Sequence, residues 1–314
     1  MRIVIIGGGA VGLLYAARLL QANRYVQLVT RTDAQAEALR TEGVILRDIH
    51  GKQLQTNIEA IPSTQPLPEA DLYLLTVKQT DVPALLPALR TIPAGSMLVA
   101  MQNGMGHGEQ LSKIIRDHFL YVAVNTEGAR RISPVEVEHT GKGKLRIGSW
   151  KKQDVQELAI ARVLSILNGA GIPAEYVDDV EKILWDKLIA NALINPLTAI
   201  YEVPNGMLVQ SGELTAQMRQ LFEEATVVAD NCGQKFNETT WQEILTICRN
   251  TSRNTSSMLQ DLQQGKQTEI EAITGYLVQK AKEHGISTPG HETLRQVIRL
   301  KEQMNRLSSK HGSE

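Results

Sequence analysis

The chain begins with a short apolar run that leads directly into a glycine-rich turn, because residues 2–12 read RIVIIGGGAVG. Residues 3–6 have the branched apolar side chains that favour a buried strand, and residues 10–21 have the composition of a helix. A strand, a turn of this type and a helix in direct succession predict the phosphate-binding corner of a dinucleotide-binding Rossmann unit. The turn matches the pattern G-x-G-x-x-G and consists of Gly7, Gly8, Gly9, Ala10, Val11 and Gly12.

The glycines of this turn have separate expected roles. Gly7 permits the tight turn, Gly9 lets the backbone approach a pyrophosphate, and Gly12 allows the helix to pack close to the strand. The pyrophosphate would bind the N–H groups and the positive end of the helix that begins near Ala10. A glycine turn that serves only packing is the alternative, and the flanking strand and helix favour a bound dinucleotide.

The apolar pattern outward from this turn divides the chain in two. Short β-type runs alternate with helical patterns in the first half, which is typical of a doubly wound parallel sheet covered by helices on both faces. We predict strands at residues 2–6, 26–29, 72–77, 97–101, 121–124, 135–139, 144–148 and 174–177, and helices at 10–21, 34–41, 80–89 and 159–167. From residue 180 onward a period of 3.6 residues predicts only helices. We therefore expect a Rossmann domain over residues 1–178 and a helical substrate and catalytic domain over residues 179–314.

Charge and cysteine content exclude several classes of protein. The 314 residues carry 33 Lys and Arg against 34 Asp and Glu, so no global field favours nucleic acid or an anionic membrane, and we expect neither as a partner. Cys232 and Cys248 are the only cysteines, which is typical of a cytoplasmic enzyme with reduced thiols. Glycines interrupt the apolar start of the chain, so we expect neither a signal peptide nor a membrane anchor.

The end of the predicted second strand distinguishes between the two nicotinamide dinucleotides. An NAD site usually carries an acidic residue about 20 positions past the glycines, which binds the ribose 2'-hydroxyl. Thr30 takes that position here, and Arg31 follows it, where a guanidinium can pair with a 2'-phosphate. Asp33 is close enough in sequence to reach the ribose instead. The sequence favours NADP(H) as the cofactor and leaves NAD(H) as the alternative.

Polar residues also follow two further predicted strands. Lys78 comes after the strand at 72–77, and Asn103 comes after the strand at 97–101. Ligands bind outside the carboxyl ends of parallel strands, so both residues are candidate cofactor contacts. Lys78 is equally consistent with a solvated charge, and Asn103 with a turn residue before Gly104.

A polar stripe interrupts an apolar helical segment, because residues 181–200 read EKILWDKLIANALINPLTAI. Apolar residues surround most of this helix, which indicates burial. Lys187, Asn191 and Asn195 recur every four residues and lie on one face. An unsatisfied buried polar group costs about 1 to 3 kcal/mol, so the stripe indicates either an interhelical network or a wet cleft for a polar ligand. We expect Pro196 to end or kink the helix.

Burial also predicts the chemistry of Lys187. Desolvation lowers the pKa of an ammonium and makes it a better proton donor near neutral pH. A second polar cluster at residues 254–260 is followed by Glu269 and Glu271. Position alone makes Glu269 as consistent with a helix N-terminal charge as with a functional carboxylate, and it favours the helix charge for Glu271. We expect no metal site, because His, Cys, Asp and Glu show no ligand spacing.

In combination, these motifs resemble the ketopantoate reductase (2-dehydropantoate 2-reductase) family over both predicted domains. The resemblance implies a second domain similar to the helical domain of 6-phosphogluconate dehydrogenase. It implies NADPH-dependent reduction of ketopantoate to (R)-pantoate, in pantothenate and coenzyme A biosynthesis, by a monomer or homodimer. Besides the glycine turn, it rests on residues 76–78, 103–106, 184–188, 195–200, 204–206, 256–261 and 268–270.

The resemblance also implies roles for individual residues. Lys187 corresponds to the general acid, and Glu269 to a carboxylate that assists at the substrate hydroxyl and at the lysine. Ser257 corresponds to the residue that holds the substrate carboxylate. The implied cofactor contacts beyond the turn are Arg31, Lys78 and Asn103, and the implied substrate contacts are Asn103, Lys187, Asn191, Asn195, Asn254 and Ser257.

One segment departs from the family pattern. Glu127 stands where relatives commonly carry a small or polar residue, so we keep reduction of another branched 2-oxo acid as a second hypothesis. A third hypothesis, from a different class, is a non-catalytic NADP(H) sensor. The pair formed by Lys187 and Glu269 disfavours it, because a sensor has no need of a general acid.

Overall fold

The computed structural model describes residues 1–115, 119–150 and 156–311, and the chain in it forms two compact units. The first unit comprises Met1–Gln102 and His107–Glu181, and the second comprises Asn103–Gly106 and Lys182–Glu314. The chain thus passes from the first unit to the second just after Glu181, near the position where composition indicates a boundary.

The first unit has both strands and helices. Its strands are β1 (Ile3–Ile6), β2 (Val26–Thr30), β3 (Val44–Arg47), β4 (Gln53–Thr56), β5 (Glu59–Pro62), β6 (Leu72–Leu75), β7 (Met97–Ala100), β8 (Phe119–Asn125), β9 (Gly128–Arg131), β10 (Glu136–Gly141), β11 (Leu145–Ser149) and β12 (Ala174–Tyr176). Its helices are α1 (Ala10–Gln21), α2 (Asp33–Glu42), α3 (Val82–Leu89), α4 (His107–Ser112) and α5 (Glu157–Gly169), with a 3-10 turn at Gln79–Asp81. Each strand and helix predicted for this half has a counterpart.

The main sheet has the doubly wound arrangement that the sequence predicts. In the described residues its order is β12-β11-β8-β7-β6-β1-β2-β5, and the strands from β8 to β5 are all parallel. β11 pairs antiparallel with β8. β1 is the point where the strand order reverses, because β2 lies on one side of it and β6 on the other. The glycine turn at the end of β1 therefore occupies the topological switch point where such sheets bind ligands.

A smaller sheet was not predicted. Its order in the described residues is β4-β3-β10-β9, and α1 packs between this sheet and the main one. Only β10 corresponds to a predicted strand. β4 and β9 are short, polar and largely exposed, so they lack the apolar alternation that identifies a strand from sequence.

The second unit is all-helical in its described residues, as predicted. Its elements are α6 (Val180–Tyr201), α7 (Met207–Gln210), α8 (Gly212–Asn231), α9 (Glu238–Asn250), α10 (Ser257–Gln263), α11 (Tyr276–Glu283) and α12 (Pro289–His311), with a π-helical turn at Glu271–Gly275. No helix within the described ranges combines the length and the hydropathy that crossing a lipid bilayer requires.

α6 is buried over most of its surface, but it does not end at Pro196. Of the two expected effects of Pro196, ending the helix was wrong, because the helix continues to Tyr201, and a kink at the proline stays a prediction. A proline inside a helix costs about 3 kcal/mol through its missing hydrogen bond and its ring. Leu197, Thr198 and Ala199 are fully buried directly after it, and their packing offsets this cost. The Thr198 hydroxyl also donates to the carbonyls of Ile194 and Asn195.

Candidate active site

The glycine turn has a closed side and an open side. A Cβ at Gly12 would lie 1.9 Å from the carbonyl oxygen of Gly7, which shows how closely α1 approaches the end of β1. Gly7 itself has a φ of +126°, which favours glycine. At Gly9, a Cβ would meet no heavy atom of the described residues within 4 Å. The turn therefore leaves open backbone at the N-terminus of α1, as the pyrophosphate of a dinucleotide requires.

In the segment that follows β2, the cationic side chain of Arg31 is exposed. The Arg31 side chain is 82% exposed, and its Nη1 atom lies 3.9 Å from the Asp81 carboxylate. Thr30 is buried, and its hydroxyl donates to the Thr32 carbonyl at 2.9 Å. Asp33 is the first residue of α2, where its charge suits the helix dipole. This corner thus presents a guanidinium to solvent and gives Asp33 a role within its own helix.

Lys78 lies in the first unit, in the segment that follows β6. Lys78 is half-buried and directly precedes the 3-10 turn, where its carbonyl accepts a hydrogen bond from the Asp81 N–H at 3.0 Å.

Within the described ranges, no three side chains of His, Cys, Asp or Glu form a group that could hold a metal ion.

Three of the predicted residues come together in the second unit. The side-chain amide of Asn103 donates to Oε2 of Glu269 at 3.0 Å. Glu269 is only 8% exposed, and its carboxylate interacts electrostatically with Lys187. Asn103 follows β7, Lys187 lies in α6, and Glu269 precedes the π-helical turn. Distant parts of the chain therefore meet to place an amide, an ammonium and a carboxylate in one cluster.

The surroundings of Lys187 change its acidity. Burial lowers the pKa of Lys187 from its ordinary value near 10.5 to about 8, because the apolar neighbours disfavour the charged form. The Glu269 carboxylate acts in the opposite direction and favours the ammonium. Leu188 is adjacent to Lys187 on α6, and Leu184 lies about one turn before it. Both leucines are almost completely buried. The result is an ammonium that is charged at neutral pH and that gives up its proton readily.

Backbone contacts hold the segments that carry Asn103 and Glu269. Gly104 has a φ of +80°, and a Cβ there would lie 2.3 Å from the carbonyl oxygen of Ala272. The Met105 N–H donates to that same carbonyl at 3.0 Å. The Asn-Gly pair is thus more than a simple turn, because the glycine allows it to pack against the π-helical turn beside Glu269.

A buried carboxylate that sequence reasoning missed supports the same segment. Glu302 of α12 accepts hydrogen bonds from the N–H and the hydroxyl of Thr268, at 2.8 and 2.6 Å. Thr268 directly precedes Glu269, so the contact of α12 with Thr268 also holds the backbone at Glu269 in place. Glu302 is far from this segment in sequence and carries no local signal that could have identified it.

Of the other predicted substrate residues, two lie on α6, one lies in the loop before α10, and one is the first residue of α10. Asn195 is buried, Asn191 is half-buried, and Asn254 and Ser257 are exposed. The structure gives Ser256 the capping role at α10, because its oxygen accepts from the Leu259 N–H at 3.2 Å. The Ser257 hydroxyl thus stays at the exposed first position of that helix.

Glu127, expected from the resemblance to differ from its relatives, is part of a buried network in the first unit. Its carboxylate lies 2.7 Å from the Arg18 guanidinium and 3.7 Å from the His139 ring. Arg18 belongs to α1 and His139 to β10, so the network joins that helix to the smaller sheet. The Asn125 side chain accepts from the Glu127 N–H at 3.0 Å. Glu127 therefore has a structural role that accounts for its presence.

Comparisons with known proteins place these features in context. A family model described as ketopantoate reductase PanE/ApbA matches residues 3–152, and one described as the C terminal of ketopantoate reductase PanE/ApbA matches residues 179–302. The 2-dehydropantoate 2-reductase of Bacillus subtilis is 36% identical over 286 residues, which cover 91% of this chain and 92% of that protein.

Solved structures show the same architecture. The crystal structure of a PanE/ApbA family ketopantoate reductase from Ralstonia eutropha superposes with a TM-score of 0.88 at 30% identity, covering 98% of this chain and all of that chain. A ternary structure of D-mandelate dehydrogenase with NADH and anilino(oxo)acetate has a TM-score of 0.89 at 21% identity, covering 98% of this chain and all of that one. The second likeness concerns the fold alone.

Proposed function

Because this chain belongs to the ketopantoate reductase family, we propose that it reduces 2-dehydropantoate to (R)-pantoate with a nicotinamide dinucleotide. The observation that carries this proposal is the cluster of Lys187, Glu269 and Asn103 in the second unit. Reduction of a 2-oxo acid requires a proton donor at the carbonyl oxygen. The ammonium of the half-buried Lys187, beside the buried Glu269 carboxylate, supplies one.

The proposed mechanism assigns one task to each residue of this cluster. The bound dinucleotide supplies the hydride that reduces the carbonyl carbon. Lys187 stabilises the negative charge that grows on the carbonyl oxygen and donates its proton there, which yields the alcohol. Glu269 favours the charged form of Lys187 before the transfer. Asn103 orients the Glu269 carboxylate through its hydrogen bond.

Other residues would bind the two ligands. The pyrophosphate would bind along the open backbone of the turn at residues 7–12, with the N-terminal N–H groups of α1 as donors. Lys78 and Asn103 are the further proposed cofactor contacts. The proposed substrate contacts are Asn103, Lys187, Asn191, Asn195, Asn254 and Ser257. The exposed Ser257 hydroxyl suits a substrate carboxylate because it can donate a hydrogen bond.

We propose NADP(H) as the preferred dinucleotide, and Arg31→Ala tests this choice. The Arg31 guanidinium is 82% exposed and lies 3.9 Å from the Asp81 carboxylate, so it can turn from Asp81 to a 2'-phosphate. Losing a charged hydrogen bond of about 1.5 to 3 kcal/mol should raise the Kd of NADPH roughly 10-fold to 100-fold. The Kd of NADH should stay unchanged, since that ligand lacks the phosphate. Titration of nicotinamide fluorescence measures both constants. Arg24→Ala, before the opposite end of β2, is the matched control, and equal weakening of both dinucleotides in Arg31→Ala would contradict the assignment.

Substrate identity is tested by steady-state kinetics with the purified protein and NADPH. We expect kcat/KM for 2-dehydropantoate to exceed that for branched 2-oxo acids without its hydroxyl group by about 100-fold or more, because a polar site rejects a ligand that leaves its groups unpaired. Equal values would favour the alternative, a reductase of another branched 2-oxo acid. Binding of NADPH without its oxidation by any of these acids would favour a non-catalytic sensor. A cytoplasmic location and a monomeric or homodimeric state remain predictions.

A further inference from the structure

The carbonyl group of Gly8 is held by two side chains of the first unit. Gln35, in the first turn of α2, donates from Nε2 to this oxygen at 2.8 Å. Arg131, the last residue of β9, donates from Nη1 to the same oxygen at 3.3 Å. Gln35 also donates to the carbonyl of Pro134, just before β10, at 2.8 Å. α2 and the smaller sheet thus meet at the second residue of the glycine turn.

The position of Gln35 depends on Gly8 having no side chain. A Cβ at Gly8 would lie 2.7 Å from both Nε2 and Oε1 of Gln35. Gln35 is only 9% exposed, and its own N–H is capped by the Thr32 hydroxyl at 3.3 Å, so the residue has little room to withdraw. The middle residue of the first G-x-G is therefore a glycine here because a buried amide packs directly onto it.

Holding the Gly8 carbonyl also orients the neighbouring N–H. The described chain contains no cis peptide bond, so the N–H of Gly9 points opposite to the C=O of Gly8 within one planar peptide. The C=O faces Gln35 and Arg131, and the N–H therefore faces away from them. Gly9 is also the glycine at which a Cβ would meet no described atom.

We propose that Gln35 and Arg131 are positioning residues that aim the Gly9 N–H at the dinucleotide pyrophosphate. The inference rests on the proposed function only in requiring that a dinucleotide binds at this turn. A donor that is already oriented needs no ordering when the ligand arrives, so the two side chains contribute to affinity without touching the ligand. NADPH and NADH share the pyrophosphate, so both should depend on them equally.

Gln35→Met is the principal test, because it removes the donor and nearly preserves the volume of the side chain. The Kd values of NADPH and NADH should both rise roughly 10-fold, the effect of losing one buried hydrogen bond. Arg131→Met should raise both by roughly 3-fold, since its bond is longer and only partly buried. Arg130→Met is the matched control on the same strand, because the Arg130 guanidinium pairs with Glu138 at 2.6 Å instead. It should leave both constants unchanged.

Fluorescence titration of each folded variant separates the outcomes. Wild-type Kd values in Gln35→Met would overturn the inference, and so would a loss of affinity confined to NADPH, which would indicate an effect at the 2'-phosphate. If circular dichroism shows that Gln35→Met does not fold, Arg131→Met decides, and wild-type Kd values in that variant overturn the inference. A wild-type protein that binds neither dinucleotide would refute the proposed function instead.

Discussion

Replacing Lys187 with methionine should lower kcat by about 10³-fold or more, since the change removes both the general acid and the charge that stabilises the developing alkoxide. Methionine keeps the apolar stem of the side chain, so the packing of α6 should survive. The Kd of NADPH should remain close to the wild-type value, because the proposed pyrophosphate site lies on the turn after β1. Single-turnover reduction of 2-dehydropantoate measures the loss, and fluorescence titration measures the binding.

Lys182→Met is the matched control for this experiment. Lys182 lies on the same helix, forms an ion pair with Asp186 and places its ammonium 4.5 Å from the ring centre of Phe236. Its loss should change stability slightly and leave kcat unchanged. Comparable losses of activity in both variants would attribute the effect to damage of α6, and a nearly active Lys187→Met enzyme would remove Lys187 from the mechanism.

The pH profile of the wild-type enzyme should reflect the same lysine. Reduction requires the charged ammonium, so kcat/KM should be level near neutral pH and fall above the Lys187 pKa of about 8. Glu269 favours the ammonium, so Glu269→Gln should lower the pH at which kcat/KM begins to fall. Glu271→Gln should not move it, because the Glu271 carboxylate pairs with Arg295 at 2.6 Å. If kcat/KM fell at the same pH in Glu269→Gln as in the wild type, the proposed interaction between Glu269 and Lys187 would be contradicted.

Burial of Lys187 should also affect stability in a defined pH range. Between the folded pKa of about 8 and the unfolded value near 10.5, the unfolded chain binds more protons than the folded chain. The contribution of Lys187 to the free energy of unfolding therefore rises with pH through this range. Lys187→Met should lack this rise.

Gly12→Ala should cause the largest loss of folding stability. The new Cβ would lie 1.9 Å from the Gly7 carbonyl oxygen and 2.7 Å from the Thr76 hydroxyl, which itself donates to that carbonyl. Backbone cannot swing aside like a flexible side chain, so α1 must move away from β1. We expect a cost of about 3 kcal/mol, at the upper end of typical overpacking, and a Tm lower by about 6 to 12 °C. Thermal denaturation followed by circular dichroism measures it.

Gly9→Ala is the matched control, since its Cβ would meet no described heavy atom within 4 Å. Its Tm should stay close to that of the wild type, but its Kd for NADPH should rise because the methyl group occupies the approach of the pyrophosphate. A wild-type Tm in Gly12→Ala would contradict the close packing of α1 on β1. Wild-type affinity in Gly9→Ala would contradict a pyrophosphate bound at this turn.

Much of the architecture was predictable because its signals are local. The glycine pattern lies within six residues, and the buried strands β1, β6 and β7 are apolar throughout because both faces of the sheet are covered. β4 and β9 of the smaller sheet escaped prediction because they are short and polar. The sequence did not decide whether α6 ends at Pro196 or continues past it, because the burial of the following turn, which offsets the cost of the proline, gives no local signal.

In the candidate site too, local features were predictable and long-range contacts were not. Sequence spacing alone put Lys187 on the polar side of an apolar helix, and apolar neighbours along one helix suffice to lower its pKa. The same reasoning left Glu269 evenly balanced between a helix charge and a functional carboxylate. Its contact with Asn103 arises only from folding, since the two residues are 166 positions apart.

Short-range order in the chain was therefore enough to predict a glycine turn between a strand and a helix, a helical second half and a lysine among apolar residues of one helix, because periodicity and glycine placement act over one or two turns. The tertiary structure alone determines which residues lie beside that lysine and which side chains hydrogen-bond to the glycine turn. Glu302 reaches Thr268 from α12, and Gln35 and Arg131 reach Gly8 from α2 and β9. Such contacts depend on how separate elements pack in three dimensions, and hydrogen bonds between distant residues leave no periodic trace in the sequence.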